Sequence, residues 1–120
     1  MADELTLRAS LSCTKDGTTT ALAVGPLLLD VTGGQALKNR QTVGTSEEAL
    51  VVGDVASGGY MLAVNRDPTN FVQILGASGE TPLVRLEPGD LCLFRVDDGA
   101  TLYAIANTAP CDVEYAILDA

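Results

Sequence analysis

The sequence predicts an all-β protein, a sandwich or barrel of about nine or ten short strands. The opening segment alternates apolar and polar residues with period two, which is the pattern of a half-buried strand. Later in the chain, short apolar runs recur at regular spacing, separated by bends of Gly, Pro, Asn and Asp. That spacing is typical of sandwiches and barrels, and no long helix is expected.

The first predicted unit is a hairpin over residues 5–24. Leu5, Leu7, Ala9, Leu11 and Cys13 alternate with polar residues, and a turn follows in which Gly17 can take positive φ. The chain then returns as a second strand. Gly25-Pro26 is predicted to end that strand, and residues 27–32 are predicted to form a third.

Residues 33–48 are polar and weakly patterned. They predict either a strand exposed on both faces or an extended arm or loop. Thr45 and Glu48 have the spacing of a helix capping box, although a long helix is not expected there. The rest of the chain is predicted to continue as strands, with residues 1–120 forming one domain. These strands are expected at residues 49–52, 60–66, 71–76, 83–86, 90–96, 101–107 and 112–118.

Composition predicts a light core. The chain has no Trp and only 4% aromatic residues, although 47% of its residues are hydrophobic. A core of small aliphatic side chains in a chain of 120 residues gains stability by burying further surface against copies of itself or a larger partner.

Charge and hydropathy limit which classes of partner and which cellular location are expected. The net charge of −9 disfavours nucleic acid as a partner, because proteins that bind nucleic acid carry basic stripes. The sequence contains no apolar run of 18 residues, so no membrane span is predicted. The acidic start, Met1 to Glu4, is unlike a secretion signal, so a cytoplasmic site of synthesis and assembly is expected.

The residues predict neither an enzyme nor a cofactor or metal site. The chain has no His, and its three cysteines are odd in number and widely spaced, as expected of reduced thiols. Cys92 is expected in a strand buried on both faces. Thr18–Thr20 has no base nearby, and neither glycine cluster forms a phosphate loop.

Asn65, Asp67 and Asn70 have oxygen atoms that could bind a hard cation. Asn and Asp are also the usual residues of turns, where their side chains bind the local backbone, and the turn is the favoured interpretation. Residues 97–99, Asp-Asp-Gly, likewise indicate a hairpin turn.

The candidate partner-contact residues are Lys38, Asn39, Arg40 and Gln41. Lys38 and Arg40 are two of only seven basic residues in the chain. They form a local positive site in a polar segment that can become ordered on a partner. A solvated loop is the alternative.

Three segments carry a resemblance to a known class of proteins. They are Val64-Asn-Arg-Asp-Pro-Thr-Asn-Phe-Val72, Pro82-Leu-Val-Arg-Leu-Glu-Pro-Gly-Asp90 and Tyr103-Ala-Ile-Ala-Asn-Thr-Ala109. Through the order and turn pattern of these segments, the C-terminal half of the chain resembles small β-rich virion structural proteins of tailed bacteriophages, including capsid decoration (cement) proteins. The opening hairpin is similar only in general style.

The resemblance implies a jelly-roll-like β-sandwich on the outside of a capsid, as a homotrimer bound where several copies of the major capsid protein meet. It brings no catalytic residues and no cofactor. A tail, fibre-base or head–tail component of the virion is an alternative. A carbohydrate-binding module is a further one, disfavoured because such modules present exposed aromatic platforms. Here all five aromatic side chains lie in predicted strands.

Overall fold

The computed structural model describes residues 5–29, 36–52, 55, 59–97 and 100–119. They belong to two compact units, within 1–32 and within 33–120. The expectation of one domain across 1–120 stays a prediction. The all-β prediction is confirmed: every regular element in the described ranges is a strand. No helix in these ranges is long and apolar enough to cross a bilayer.

The first unit is a two-stranded antiparallel hairpin. Strand β1 spans Leu5–Lys15 and β2 spans Thr18–Leu29. Asp16 and Gly17 join them, both with positive φ, at 53° and 78°. Two consecutive left-handed residues match the right-handed twist of the strands, as in the tightest hairpin turns.

The predicted break at Gly25-Pro26 is wrong, because β2 absorbs these residues as a bulge. The register shifts between Leu7 and Ala9, so that Val24 to Leu27 on β2 oppose one residue fewer on β1. Gly25 has a φ of 116°, and the Gly25–Pro26 peptide is cis. A bulge accommodates one extra residue without ending the ladder. The predicted third strand is therefore the end of β2 as far as Leu29, and residues 30–32 lie outside the described residues.

The second unit is a sandwich of two four-stranded antiparallel sheets. Its strands are β3 (Ala36–Val43), β4 (Glu48–Ala49), β5 (Gly59–Asn65), β6 (Val72–Leu75), β7 (Val84–Leu86), β8 (Leu91–Arg95), β9 (Tyr103–Ala106) and β10 (Cys111–Asp119). Sheet I has the order β3-β10-β5-β8, and sheet II has the order β4-β9-β6-β7.

The strand pairing is that of a jelly roll. The first strand of the unit pairs with the last (β3 with β10), the second with the second-last (β4 with β9), and the inner strands continue the series (β5 with β8, β6 with β7). A long antiparallel ribbon wrapped into two facing sheets gives this order. The jelly-roll-like sandwich implied by the resemblance is thus present in this unit.

The core lies between the two sheets and is built from alternate residues. On β10, Cys111, Val113, Tyr115 and Ile117 are all buried. Met61 and Ala63 of β5 lie beside them. Sheet II contributes mainly small and branched residues, including Val72, Ile74, Leu86, Ala104 and Ala106.

Several local expectations are corrected. Within 33–48, residues 36–43 form an edge strand of sheet I, with exposed residues alternating with more buried ones. Thr45 to Glu48 starts no helix, and the strand predicted at 49–52 is replaced by the two-residue β4. Cys92 is only half-buried, because β8 is an edge strand covered on one face. Its neighbour Leu91 is 63% exposed.

Candidate docking surface

The face of sheet I that points away from the core carries an exposed apolar patch. Because strand residues alternate between faces, the neighbours of the buried Met61 and Ala63 project outward. Leu62 is 41% exposed and Leu91 is 63% exposed. In the register, Leu62 is paired with Leu93 and Val64 with Leu91, so these four side chains form two adjacent cross-strand pairs.

Charged residues border this patch. Lys38 and Arg40 of β3 project outward beside Ala116 and Glu114 of β10, with which they are paired in the register. Arg66 follows β5 on the same face, where its Nε donates to Glu114 Oε1 at 2.8 Å. A shallow cavity of about 220 Å³ lies where the charged residues meet the apolar patch. Its lining includes Lys38, Leu62, Val64, Arg66, Glu114 and Ala116.

The basic residues of the second unit are concentrated on this face. Residues 33–120 contain twelve acidic and five basic residues, a formal charge of −7. Four of the five basic residues are on the outward side of sheet I, whose described outward acidic residues are Asp112 and Glu114. These four are Lys38, Arg40, Arg66 and Arg95. The face is therefore a locally positive part of an acidic unit.

The charged residues that border the patch form its rim: Lys38, Arg40, Arg66, Asp112 and Glu114. Ion pairs order this rim without neutralising its positive charge. Arg40 lies 3.3 Å from Asp112 Oδ2, and Lys38 Nζ lies 3.9 Å from Glu114 Oε2. The bond from Arg66, with the charges of Lys38 and Arg40, holds the pKa of Glu114 below its ordinary value of 4.5. The Lys38 side chain remains 78% exposed and that of Arg40 56% exposed. Exposed pairs of this kind contribute little to folding and leave both cations accessible to a partner.

The structure separates the four predicted contact residues by strand parity. Lys38 and Arg40 project from the outer face, as a partner contact requires. Asn39 and Gln41 project toward the inner side, where their amides meet the hydroxyl of the buried Tyr115. Asn39 Nδ2 donates to that hydroxyl at 3.2 Å, and the hydroxyl donates to the Val51 carbonyl oxygen.

Gln41 links β3 to the segment around β4. Its Nε2 donates to Glu48 Oε1 and to the Ala49 carbonyl, each at 3.1 Å, and its Oε1 accepts the Val51 N–H at 2.9 Å. Burial raises the pKa of Tyr115, against the opposing effect of its hydrogen bonds. Asn39 and Gln41 thus help to hold the edge of the sandwich together, and a contact of either with a partner stays a prediction.

Asn65, Asp67 and Asn70 form the predicted turn. Asp67 Oδ2 accepts the N–H groups of Thr69 and Asn70, at 2.9 and 2.6 Å. The fully buried Asn65 accepts the Asp67 N–H through Oδ1. These oxygens are already engaged with backbone N–H groups, as in Asx turns. Among the described residues, no three His, Cys, Asp or Glu side chains cluster as a metal site.

The apolar half of this surface was missed by sequence reasoning, although a signal was present. Strand β5 contains Tyr60 to Val64, and β8 contains Leu91 to Phe94; both runs are apolar without interruption. A continuous apolar run indicates a strand covered on both faces. In this structure only the inner faces are covered, so the outward residues are apolar and exposed.

No protein-family model matches the chain, and comparisons with curated proteins and with solved structures find no match. These comparisons therefore name no ligand for this surface.

Proposed function

We propose that this protein is a non-enzymatic capsid decoration (cement) protein of a tailed bacteriophage. The outer face of sheet I would bind the exterior of a shell built from the major capsid protein. The observation that carries the proposal is the apolar patch around Leu62 and Leu91 with its basic rim. The resemblance of three chain segments to virion structural proteins supplies the partner.

The proposed mechanism is thermodynamic linkage between binding of this protein and assembly of the capsid. A protein that binds an assembled lattice and has little affinity for the free capsid subunit stabilises the assembled state by mass action. Copies bound as homotrimers where capsid subunits meet would add contact area across each junction. Apolar residues at the centre of the patch would supply affinity, and the charged rim would exclude water and orient the approach.

Charge favours the same face. Because the chain has a net charge of −9, most of its surface is repelled by an acidic partner. Lys38, Arg40 and Arg66 provide a locally positive approach, so docking through this face should be fastest at low salt. Salt should slow association more than it accelerates dissociation, because exposed rim charges act chiefly on the rate of encounter.

The test is co-sedimentation with bare shells, purified from particles that lack this protein. Leu91→Glu places a charge in the middle of the patch and should abolish binding. Leu83→Glu is the matched control: Leu83 is 84% exposed and lies before β7 in sheet II. Loss of binding in neither variant or in both would contradict docking through sheet I.

A second arm measures the rim. The double change Lys38→Ala and Arg40→Ala should weaken binding at low salt while the melting temperature stays unchanged. Equal binding at every salt concentration would show that the two cations are only solvated surface. Copies per particle decide the position in the virion, since a cement protein is present in hundreds of copies and a tail or connector component in few.

A further inference from the structure

One half of the outward face of sheet I has an apolar centre with a cation on each side. Register sets two neighbouring rows of side chains across the four strands, and these rows are here called the Tyr60 half of the face. In the order β3, β10, β5 and β8, the rows are Ala36, Leu118, Tyr60 and Arg95, then Lys38, Ala116, Leu62 and Leu93. Six of these eight residues are aliphatic or aromatic, two are basic and none is acidic.

The two cations lie on the two edge strands of sheet I. Lys38 is on β3 and Arg95 is on β8, with β10 and β5 between them. Three inter-strand spacings of ~4.8 Å place these edge strands about 14 Å apart. The Lys38 side chain is 78% exposed, and Arg95 is exposed, with its Cζ 4.7 Å from the centre of the Tyr60 ring. A guanidinium stacked on a ring stays over the face and can still donate N–H groups from its edge.

A shallow depression adjoins Lys38 in this half. The small side chain of Ala116 lies between Lys38 and Leu62 in the same row, and all three line the cavity of about 220 Å³. Leu62 is 41% exposed. An apolar side chain of a partner seated here would cover Leu62 and the methylene stem of Lys38, while the ammonium group stays at the border.

Charge complementarity limits what can cover the Tyr60 half. A basic partner would be repelled, and a wholly apolar partner would bury the two cations without a counter-charge. A second copy of this chain, meeting through the same half, would place four cations and no acid in one interface. A uniformly anionic ligand such as nucleic acid would leave the apolar centre without a partner. The complementary ligand is therefore apolar in the middle and acidic on both sides.

We propose that the Tyr60 half binds an apolar segment of the major capsid protein that carries a carboxylate on each side, one paired with Lys38 and the other with Arg95. This inference names the partner chemistry of the docking face and rests on the proposed function. In an extended segment, residues four apart point the same way and lie ~13 Å apart. Asp or Glu at positions i and i+4, with an apolar residue at i+2, has the spacing that the two edge strands require.

The first arm of the experiment is co-sedimentation with bare shells, purified from particles that lack this protein, at a series of salt concentrations. Lys38→Gln and Arg95→Gln each remove one positive charge, and each should weaken binding by about fivefold or more at low salt and reduce its salt dependence. Arg85→Gln is the matched control, because Arg85 also stacks on an aromatic ring, with Cζ 3.6 Å from the centre of Phe71, but in sheet II. It should bind as wild type does.

The second arm changes the shells and leaves the protein as it is. Carbodiimide coupling of glycinamide converts exposed carboxylates of the shells to neutral amides, and shells incubated with glycinamide alone are the control. Wild type should bind the amidated shells more weakly and with little salt dependence. This arm remains decisive if Arg95→Gln fails to fold.

The outcomes separate this inference from the proposed function. Failure of wild type to bind untreated shells would overturn both. Binding that is abolished by Leu91→Glu, but unchanged by the two glutamine variants and by amidation, would overturn this inference alone. Equal weakening by Arg85→Gln would also overturn it. So would tighter binding to vesicles of phosphatidylcholine and phosphatidylserine than to shells, lost in Lys38→Gln and Arg95→Gln, because the ligand would then be an anionic lipid surface.

Discussion

The side-chain amide of Asn65 donates a hydrogen bond of 2.9 Å to the carbonyl oxygen of Leu86, across the gap between sheet I and sheet II. Asn65 is fully buried, and Leu86 is 2% exposed. The same Nδ2 donates to the Asn70 carbonyl at 3.0 Å, and Oδ1 accepts the Asp67 N–H at 2.9 Å. One amide thus satisfies three backbone groups at the end of β5.

Asn65→Asp should therefore destabilise the sandwich by about 3 kcal/mol or more at neutral pH. The new carboxylate keeps the acceptor but loses both donors, and it faces two carbonyl oxygens in a buried site. Burial would raise the pKa of the introduced carboxyl group above its unfolded value, so part of the lost stability should return as pH falls. Urea unfolding at several pH values measures both effects. Asn107→Asp, the same change at an exposed residue, should stay within about 0.5 kcal/mol.

Gly25→Ala should disrupt the hairpin. A Cβ at this position would lie 2.7 Å from the Leu7 carbonyl oxygen and 3.1 Å from Arg8 Cα, both backbone atoms. The φ of 116° is also unfavourable for any residue with a Cβ. Hydrogen exchange should show faster exchange at amides of β1 and β2, with the sandwich unchanged. Gly44→Ala, which meets no atom within 4 Å, is the control, and equal exchange in the two variants would refute this expectation.

Gln41→Ala should destabilise the second unit by about 1–3 kcal/mol, because the Val51 N–H loses its partner and two further bonds to the β4 segment disappear. Arg40→Ala, one residue earlier on the outward side, should change stability by less than about 0.5 kcal/mol. Thermal unfolding followed by circular dichroism distinguishes the two. If Arg40→Ala proves the more damaging change, the assignment of inner and outer roles on β3 is wrong.

Arg66→Ala should raise the pKa of Glu114 toward 4.5, since the Arg66 hydrogen bond is the main cause of its depression. The folded pKa lies below the unfolded one, so the stabilising contribution of Glu114 is present above the unfolded pKa and is lost as pH falls through the folded value. The variant should lose less stability than wild type on acidification. NMR titration of the Glu114 carboxyl measures the shift. Arg85→Ala, whose pair is Glu87, should leave that titration unchanged.

Strand positions were largely predictable because turn chemistry is local. The bends at Asp16-Gly17 and around Asp67 were correctly recognised, since their side chains or φ values act within a few residues. The bend at Gly25-Pro26 was not, because whether such a pair ends a strand depends on the partner strand. Here β1 continues opposite it, so the pair becomes a bulge.

The candidate docking surface was only half predictable for a similar reason. The cations Lys38 and Arg40 stand out in an acidic sequence whatever the fold. Which neighbours face outward with them depends on parity and on sheet order, which bring Leu62 and Leu91 from distant parts of the chain to the same face. Leu91 is apolar in any reading of the sequence, and only the tertiary arrangement shows that its side of β8 is uncovered.

The bulge in β2 also limits how the hairpin can vary in length. Removing one residue between Val24 and Leu27 would restore a regular ladder and leave these two side chains, then two residues apart, on the same face, so only the bulge would be lost. Deletions or insertions elsewhere in either strand would keep each side chain on its present face only in steps of two. Homologous hairpins should therefore differ by even numbers of residues on each side of the Gly-Pro pair, and an odd change should occur together with loss or displacement of that pair.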